Sequence, residues 1–176
     1  ACRRVEFVVD GGPSQELTRG AAGAFEGAVS GVTAGTRYWF RLDGSRLRPD
    51  PVSRYQPSGP HGPSAIVDAT SFRWTDENWR GVRDKGQVLY ELHVGTFTLE
   101  GTWAAAEREL GSLADLGITL IEMMPVADFA GRFGWGYDGV DLFAPTRLYG
   151  APDDLRRFVD RAHGCGIGVI LDVVYN

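Results

Sequence analysis

The most constraining feature of this sequence is a strand–helix–strand–helix–strand rhythm that begins at Gln87. Three apolar segments of strand length, Val88–Val94, Ile118–Met124 and Ile167–Val174, are separated by stretches with helical periodicity. Strands that are apolar on both faces and are joined by helices are typical of a parallel sheet covered by helices. The rhythm therefore predicts an α/β fold for this half of the chain.

The ends of the two intervening helices carry recognisable signals. Thr102 is a favourable N-cap for a helix from Trp103 to about Leu116, and Gly117 can end that helix in the left-handed conformation. Pro152 suits the first position of the second helix, which we expect to end at the glycines near position 164. Between them, after the second strand, residues 126–150 are predicted to form a long loop.

The first half of the chain has a different texture. Short β-prone segments broken by Gly, Pro, Asp and Ser recur roughly every ten residues, which is typical of an antiparallel sandwich. They centre on Arg3–Asp10, Gly23–Val29, Arg37–Leu42 and Ala65–Asp68. We therefore predict two domains, a β-sandwich over 1–84 and an α/β part over 85–176, with the polar stretch 75–86 as the connection.

Composition and charge exclude several classes of protein. The chain is 43% hydrophobic, enough for a packed core, yet no apolar run approaches the ~18–20 residues that a membrane span needs. A net charge of −5 argues against nucleic-acid binding. Cys2 and Cys165 are far apart, without metal-like spacing, and no nucleotide-binding glycine pattern is present. We expect free thiols, no metal or cofactor, no membrane or nucleic-acid partner, and a cytoplasmic location.

Four polar residues lie in the predicted parallel strands, where burial of an unpaired charge is costly. Asp172 lies near the end of the third strand, Glu122 in the second, and Glu91 and His93 in the first. In parallel α/β folds the carboxyl ends of strands build the active site, which makes Asp172 the strongest candidate. The alternatives are a structural ion pair for the carboxylates and a packing role for the histidine.

The predicted loop carries a second group of candidates. Residues 131–140 interleave glycine with three aromatic residues and include Asp138. Aromatic faces stack on the apolar faces of sugar rings, carboxylates accept hydrogen bonds from sugar hydroxyls, and glycine allows close backbone approach. This composition suits carbohydrate binding. The alternative is a loop that is held on the core by its own aromatic side chains.

The order of five motifs in the second half resembles the α-amylase family of glycoside hydrolases. The motifs are YELHVGTFT (Tyr90–Thr98), IEMMPV (Ile121–Val126), GWGYDGV (Gly134–Val140), LFAP (Leu142–Pro145) and LDVVYN (Leu171–Asn176). The resemblance continues through YWFRLDG (Tyr38–Gly44), PDPVSRYQP (Pro49–Pro57) and HGPSAIVD (His61–Asp68). It therefore covers essentially the whole chain.

The resemblance implies an immunoglobulin-like, carbohydrate-module-like β-sandwich followed by the first three β/α units of a TIM (β/α)8 barrel. It also implies retaining cleavage of α-1,4-glucosidic bonds. Within the family, the similarity is to members that cleave the bond next to the terminal trehalose of maltooligosyl-trehalose and release trehalose and a maltooligosaccharide. Branching and debranching enzymes of the same family remain the alternative, and a non-catalytic glycan-binding fragment is a third.

Site residues follow from the same resemblance, position by position. Tyr137 would stack under the sugar at the cleaved bond. Asp172 would help to hold the catalytic centre, and Asn176 would support the adjoining loop. Trp135 and Asp138 would contact substrate from the loop.

The resemblance assigns the catalytic carboxyl groups to later barrel strands than the three found here. A retaining mechanism needs two such groups about 5–5.5 Å apart, and a full barrel takes about 250 residues. We therefore assign no catalytic residue in this chain. We expect the chain to be the N-terminal part of a longer enzyme, with the remainder of its own barrel as its partner and an α-glucan as its substrate.

Overall fold

A computed structural model of the chain describes residues 2–175. Its strands are β1 (Val5–Val9), β2 (Ser14–Glu16), β3 (Thr18–Arg19), β4 (Phe25–Glu26), β5 (Arg37–Leu42), β6 (Arg46–Arg48), β7 (Ser64–Ala65), β8 (Leu89–Leu92), β9 (Leu120–Met123), β10 (Ala127–Asp128), β11 (Asp141–Pro145) and β12 (Gly168–Leu171). Its helices are α1 (Val94–Phe97), α2 (Trp103–Arg108), α3 (Leu110–Asp115) and α4 (Pro152–Gly164).

The first half folds around a five-stranded antiparallel sheet. Its strand order is β2-β1-β5-β6, and β7 also pairs with β5. One face is held by a cluster of three rings from β1 and β5, in which Phe7 stacks on Tyr38 with centroids 4.8 Å apart and both contact Phe40 edge-on. The turn between β5 and β6 is made by Asp43 and Gly44, which both have positive φ. The antiparallel arrangement predicted for this half is confirmed.

The second half contains a three-stranded parallel sheet in the order β12-β9-β8. The register aligns Leu92 with Met123 and Met123 with Leu171, so the carboxyl ends of all three strands finish at one edge. The helices bury one face of this sheet, and the core there is centred on fully buried Trp103, Ile121 and Phe158. The predicted parallel sheet with helical cover is confirmed.

Two helix predictions have different outcomes. The helix that begins at Pro152 is confirmed, with Asp153 and Asp154 in its first turn. Thr102 caps α2 as expected, since its hydroxyl accepts a hydrogen bond from the Ala105 amide. The single helix predicted from Trp103 to Leu116 is wrong, because it is interrupted at Glu109. There the Glu109 amide donates to Ala106 in the tighter i→i−3 pattern, which separates α2 from α3.

The long loop predicted over 126–150 is also not wholly irregular. It contains the antiparallel pair β10 and β11, in which Ala127 aligns with Pro145 and Asp128 with Asp141. The intervening segment, Phe129–Val140, remains without regular structure and contains all the glycine-interleaved aromatic residues. The pair therefore closes the base of the loop and limits where its tip can lie. Across residues 2–175, the structure has no helix of the length and apolarity needed to cross a bilayer.

Candidate functional site

The carboxyl edge of the parallel sheet gathers the polar residues that the sequence singles out. The sheet hydrogen bonding continues one residue beyond the strands, from the Met124 amide to Leu92 (3.0 Å) and from the Asp172 amide to Met123 (2.9 Å). Asp172 and His93 therefore follow their strands at the same edge. This edge is where parallel α/β sheets bind ligands.

Tyr137 and Asp172 make the central contact of the site. The Tyr137 hydroxyl donates to Asp172 Oδ2 at 3.0 Å, across 35 residues of sequence. This hydrogen bond is the main cause that raises the pKa of Tyr137, with smaller contributions from burial and from the negative charges of Asp172, Glu91 and Glu122. The phenol therefore stays protonated as a donor at neutral pH, and one edge of its ring is fixed against the carboxylate.

Glu91 and Glu122 lie on the face of the parallel sheet that the helices do not cover, close enough for their charges to act on Tyr137. They are register neighbours on β8 and β9, whereas the helix-facing Leu92, Ile121 and Met123 are buried. Glu91 is exposed and Glu122 is partly exposed. Within residues 2–175, Glu91, Glu122 and Asp172 form no ion pair. The structural ion pair that was the alternative for these carboxylates is therefore not found there.

The loop that bears Tyr137 is seated by a close backbone approach at Gly136. This glycine has φ +94°, and a methyl group added there would overlap the carbonyl oxygen of Pro125. Only glycine meets both conditions without strain. The sequence predicts that these glycines let the backbone approach a ligand closely. At Gly136 the backbone approaches the chain itself, at Pro125 two residues after β9.

His93 ties the other side of the loop to β8. Its Nε2 lies 2.9 Å from the Gly134 carbonyl oxygen and 3.0 Å from the Tyr149 hydroxyl, and its Nδ1 lies 3.0 Å from the Thr96 hydroxyl. The histidine is therefore hydrogen-bonded at both nitrogens. Packing, the alternative considered from the sequence, does not fully describe His93, because its ring also forms a hydrogen bond with the backbone of the aromatic loop.

The remaining predicted site residues are less constrained. Trp135 is 73% exposed and lies with Phe133 and Arg132 around a cavity of about 490 Å³ beside His93. Asp138 is exposed at the loop tip. Among residues 2–175, neither side chain forms a hydrogen bond with Asp172, whose partner is Tyr137. Asn176 lies outside the described residues.

A buried polar group at the base of the loop was not predicted from the sequence. Asp128, fully buried, forms an ion pair with Arg147 at 2.9 Å, and Arg147 also donates to the Gly131 carbonyl oxygen. Burial raises the pKa of Asp128 although hydrogen bonds from Thr146 and Arg147 oppose the change. An aspartate and an arginine nineteen residues apart give no sequence signal unless β10 and β11 are already known to pair.

Neighbouring Asp141 is buried without a full set of partners. Its Oδ2 has no hydrogen-bond partner within residues 2–175. Burial, followed by the negative charge of Asp128, raises the pKa of Asp141 to about 6, and His61 opposes the change. No group of three or more His, Cys, Asp or Glu side chains in the described part of the chain is arranged to hold a metal ion.

Comparison with known proteins defines the class to which this fold and site belong. The family model of the alpha-amylase catalytic domain matches residues 67–176. This match covers more than half of the chain, including the whole parallel sheet and the Tyr137 loop. The chain belongs to the α-amylase family of glycoside hydrolases.

Several of the curated proteins to which the chain is similar are malto-oligosyltrehalose trehalohydrolases. The one from Deinococcus radiodurans is 52% identical over 82% of this chain and 24% of its own length. The one from Saccharolobus solfataricus is 45% identical over 99% of this chain and 31% of its own length. A 1,4-alpha-glucan branching enzyme from Rhizobium etli is less similar, at 36% identity over 94% of this chain and 25% of its own length.

One solved structure is similar over nearly the whole chain. A crystal structure from Salmonella typhimurium, described as an alpha amylase, superposes with a TM-score of 0.94 at 48% identity. The match covers 98% of this chain and 29% of that one. The chain thus spans about a quarter to a third of the length of the proteins that it matches.

Proposed function

We propose that this chain forms part of a retaining glycoside hydrolase that cleaves the α-1,4-glucosidic bond next to the terminal trehalose of maltooligosyl-trehalose. The products are trehalose and a maltooligosaccharide. The observation that carries the proposal is the Tyr137–Asp172 contact at the carboxyl edge of the sheet, in a chain 52% identical to a trehalohydrolase. No cofactor is part of the proposal.

The geometry suits a sugar platform at this edge. The hydroxyl of Tyr137 donates to Asp172, so the ring is held at one end while the residue remains 38% exposed. A sugar ring can stack on such a face, and the carboxylate retains lone pairs to accept hydrogen bonds from sugar hydroxyls. Asp172 Oδ2 takes the phenol, which leaves Oδ1 for the substrate. Trp135, Asp138 and Asn176 are proposed as further substrate contacts.

We further propose a two-domain architecture around the carboxyl edge of the parallel sheet. Residues 1–84 form an immunoglobulin-like, carbohydrate-module-like sandwich, and residues 85–176 form the first three β/α units of a (β/α)8 barrel. The remaining strands of the barrel supply the two carboxyl groups about 5–5.5 Å apart that a retaining mechanism requires. Free Cys2 and Cys165 support a cytoplasmic location, where thiols stay reduced.

Product analysis tests this proposal. The complete enzyme of which we propose this chain forms part is incubated with maltooligosyl-trehalose, and free trehalose is quantified over time. We expect trehalose release, and we expect Tyr137→Ala to lower kcat/KM about 100-fold because the sugar loses its positioning surface. Phe143→Ala is the matched control, since it removes an aromatic ring that is 61% exposed on β11.

Each other product pattern points to a different function. New branches in a linear glucan without trehalose release would favour a branching enzyme, which the 36% identity to one supports as second candidate. Saturable binding of maltooligosaccharide without any turnover would favour a glycan-binding role. Either result would overturn the proposed hydrolysis.

A further inference from the structure

A single imidazole connects the carboxyl end of β8 to the loop that carries Tyr137. His93 Nε2 lies 2.9 Å from the carbonyl oxygen of Gly134, which is three residues before Tyr137 in the chain and 41 residues from His93. We propose that His93 is a positioning residue, which acts by holding Tyr137 over Asp172 through the backbone of this loop. The inference rests on the proposed role of Tyr137 as a sugar platform.

The chemistry of the partners fixes which nitrogen carries the proton. A backbone carbonyl can only accept a hydrogen bond, so Nε2 of His93 must be the donor to Gly134. In the neutral ring Nδ1 is then an acceptor, and the Thr96 hydroxyl, 3.0 Å away, is suited to donate to it. The Tyr149 hydroxyl oxygen, 3.0 Å from Nε2, is a second acceptor for the same N–H group. Both sides of the ring are thereby oriented.

The loop has two anchors just before Tyr137. At Gly134 the carbonyl is held by His93, and a side chain there would clash with the buried ring of Phe129. At Gly136 the backbone lies against the carbonyl of Pro125. The anchor at Gly136 is steric and allows the loop to lift away, whereas the hydrogen bond from His93 opposes lifting. Tyr137 is therefore positioned from both neighbouring strands, β8 through His93 and β9 through Pro125.

Two substitutions at His93 separate positioning from simple loss of packing. The amide nitrogen of glutamine reaches about as far as Nε2, whereas that of asparagine reaches only about as far as Nδ1. We expect His93→Asn to lower kcat/KM for trehalose release about 10- to 100-fold, since small misplacements of a positioning group cost this much. His93→Gln should stay within about threefold of the original enzyme, because it restores a donor to Gly134.

A double-substitution cycle then tests whether His93 acts through Tyr137. If it does, His93→Asn should change kcat/KM by less than about twofold when Tyr137 is already alanine, because coupled residues are not additive. Equal losses in both backgrounds would overturn the inference. The inference would also be overturned if His93→Gln lowered kcat/KM as much as His93→Asn does while the melting temperature of His93→Gln stayed unchanged.

A readout independent of activity distinguishes this inference from the proposed function. Trypsin can cut after exposed Arg132, at the start of the loop, and the cleavage rate reports loop mobility. We expect several-fold faster cleavage in His93→Asn and the original rate in His93→Gln. If trehalose is never released but the cleavage rates follow this pattern, the proposed function fails and the anchor stands. Equal cleavage rates in all three proteins would overturn the anchor itself.

Discussion

The five-stranded antiparallel sheet and the three-stranded parallel sheet use polar side chains in opposite ways. In the antiparallel sheet, Glu6 is only 6% exposed and lies between Arg4 at 3.4 Å and Arg41 at 3.5 Å. At the carboxyl edge of the parallel sheet, Glu91 and Tyr137 remain exposed. Glu6 of the antiparallel sheet is satisfied within the chain by two arginines, whereas Glu91 of the parallel sheet is presented to solvent.

A similar difference separates two tyrosine–aspartate contacts, one beside each sheet. The Tyr38 hydroxyl donates to Asp50 at 2.6 Å in a partly buried setting, and the Asp50 amide donates to Ser64. The chemically similar pair Tyr137 and Asp172 is exposed and stands at a strand end. The same tyrosine–aspartate contact therefore stabilises the structure in one sheet and, in our proposal, holds a sugar platform in the other. Substitutions in each should have separable effects.

The largest effect is expected from Gly136→Ala. The added methyl group would overlap the Pro125 carbonyl oxygen, and φ +94° is itself unfavourable for alanine. The loop must then move, so we expect the free energy of unfolding to fall by about 2–4 kcal/mol and maltooligosaccharide binding to be lost. Chemical denaturation and titration calorimetry measure the two effects.

Gly131→Ala is the matched control for that substitution. Gly131 lies in the same loop with φ +97°, but a methyl group there meets no atom within 4 Å. It should cost only about 1–2 kcal/mol from backbone strain and leave binding intact. Equal losses of binding for both variants would contradict this account. They would show that binding depends on the backbone conformation of the loop glycines in general and not on the contact between Gly136 and Pro125.

A smaller effect, confined to stability, is expected from Tyr38→Phe. The substitution leaves Asp50 Oδ2 without the phenol that it accepts from, so we expect a loss of about 1–3 kcal/mol on thermal unfolding. Affinity for maltooligosaccharide should stay unchanged, because this pair belongs to the antiparallel sheet. A drop in maltooligosaccharide affinity comparable to that expected for Gly136→Ala would break the contrast between the two sheets.

The smallest effect is expected from Asp141→Asn, and it depends on pH. The pKa of about 6 in the folded chain exceeds the ~3.9 expected when unfolded, so the protonated group favours folding below pH ~4. That contribution is lost as pH rises through 6. Asparagine does not ionise, so the variant should be more stable than the original by about 1–2 kcal/mol at pH 7.5.

The stability difference between the Asp141 variant and the original should shrink toward zero at pH 4. Melting temperatures across this range measure it. A difference that stays constant with pH would mean that Asp141 is already satisfied in its buried position, and that its ionisation does not oppose folding at the base of the loop.

Local signals in the sequence were sufficient for several elements of the fold. Thr102 predicts the start of α2 and Pro152 the start of α4, because capping and proline preferences act within one turn of helix. The parallel sheet follows from apolar strands joined by helices. The pattern also places Asp172 near the end of the third strand; the structure has it one residue beyond that strand, which ends at Leu171 and not at Val174.

Contacts between distant residues could not be predicted in the same way. The bond from His93 to Gly134 spans 41 residues and ends on a backbone carbonyl, which has no side-chain identity to read. The pairing of β10 with β11 joins a strand of two residues to one of five across the glycine-rich segment. The break at Glu109 was missed because both halves of the expected helix keep their buried face toward the core, including Trp103 and Leu110.

The most direct test of the account is a crystal structure of the protein with a bound maltooligosyl-trehalose. We predict a sugar ring stacked on Tyr137, with carbon atoms within about 4 Å of the phenol ring, and a sugar hydroxyl donating to Asp172. Electron density for the sugar only on the antiparallel sheet, with Tyr137 and Asp172 unoccupied, would contradict the assignment of the parallel sheet's carboxyl edge as the substrate site.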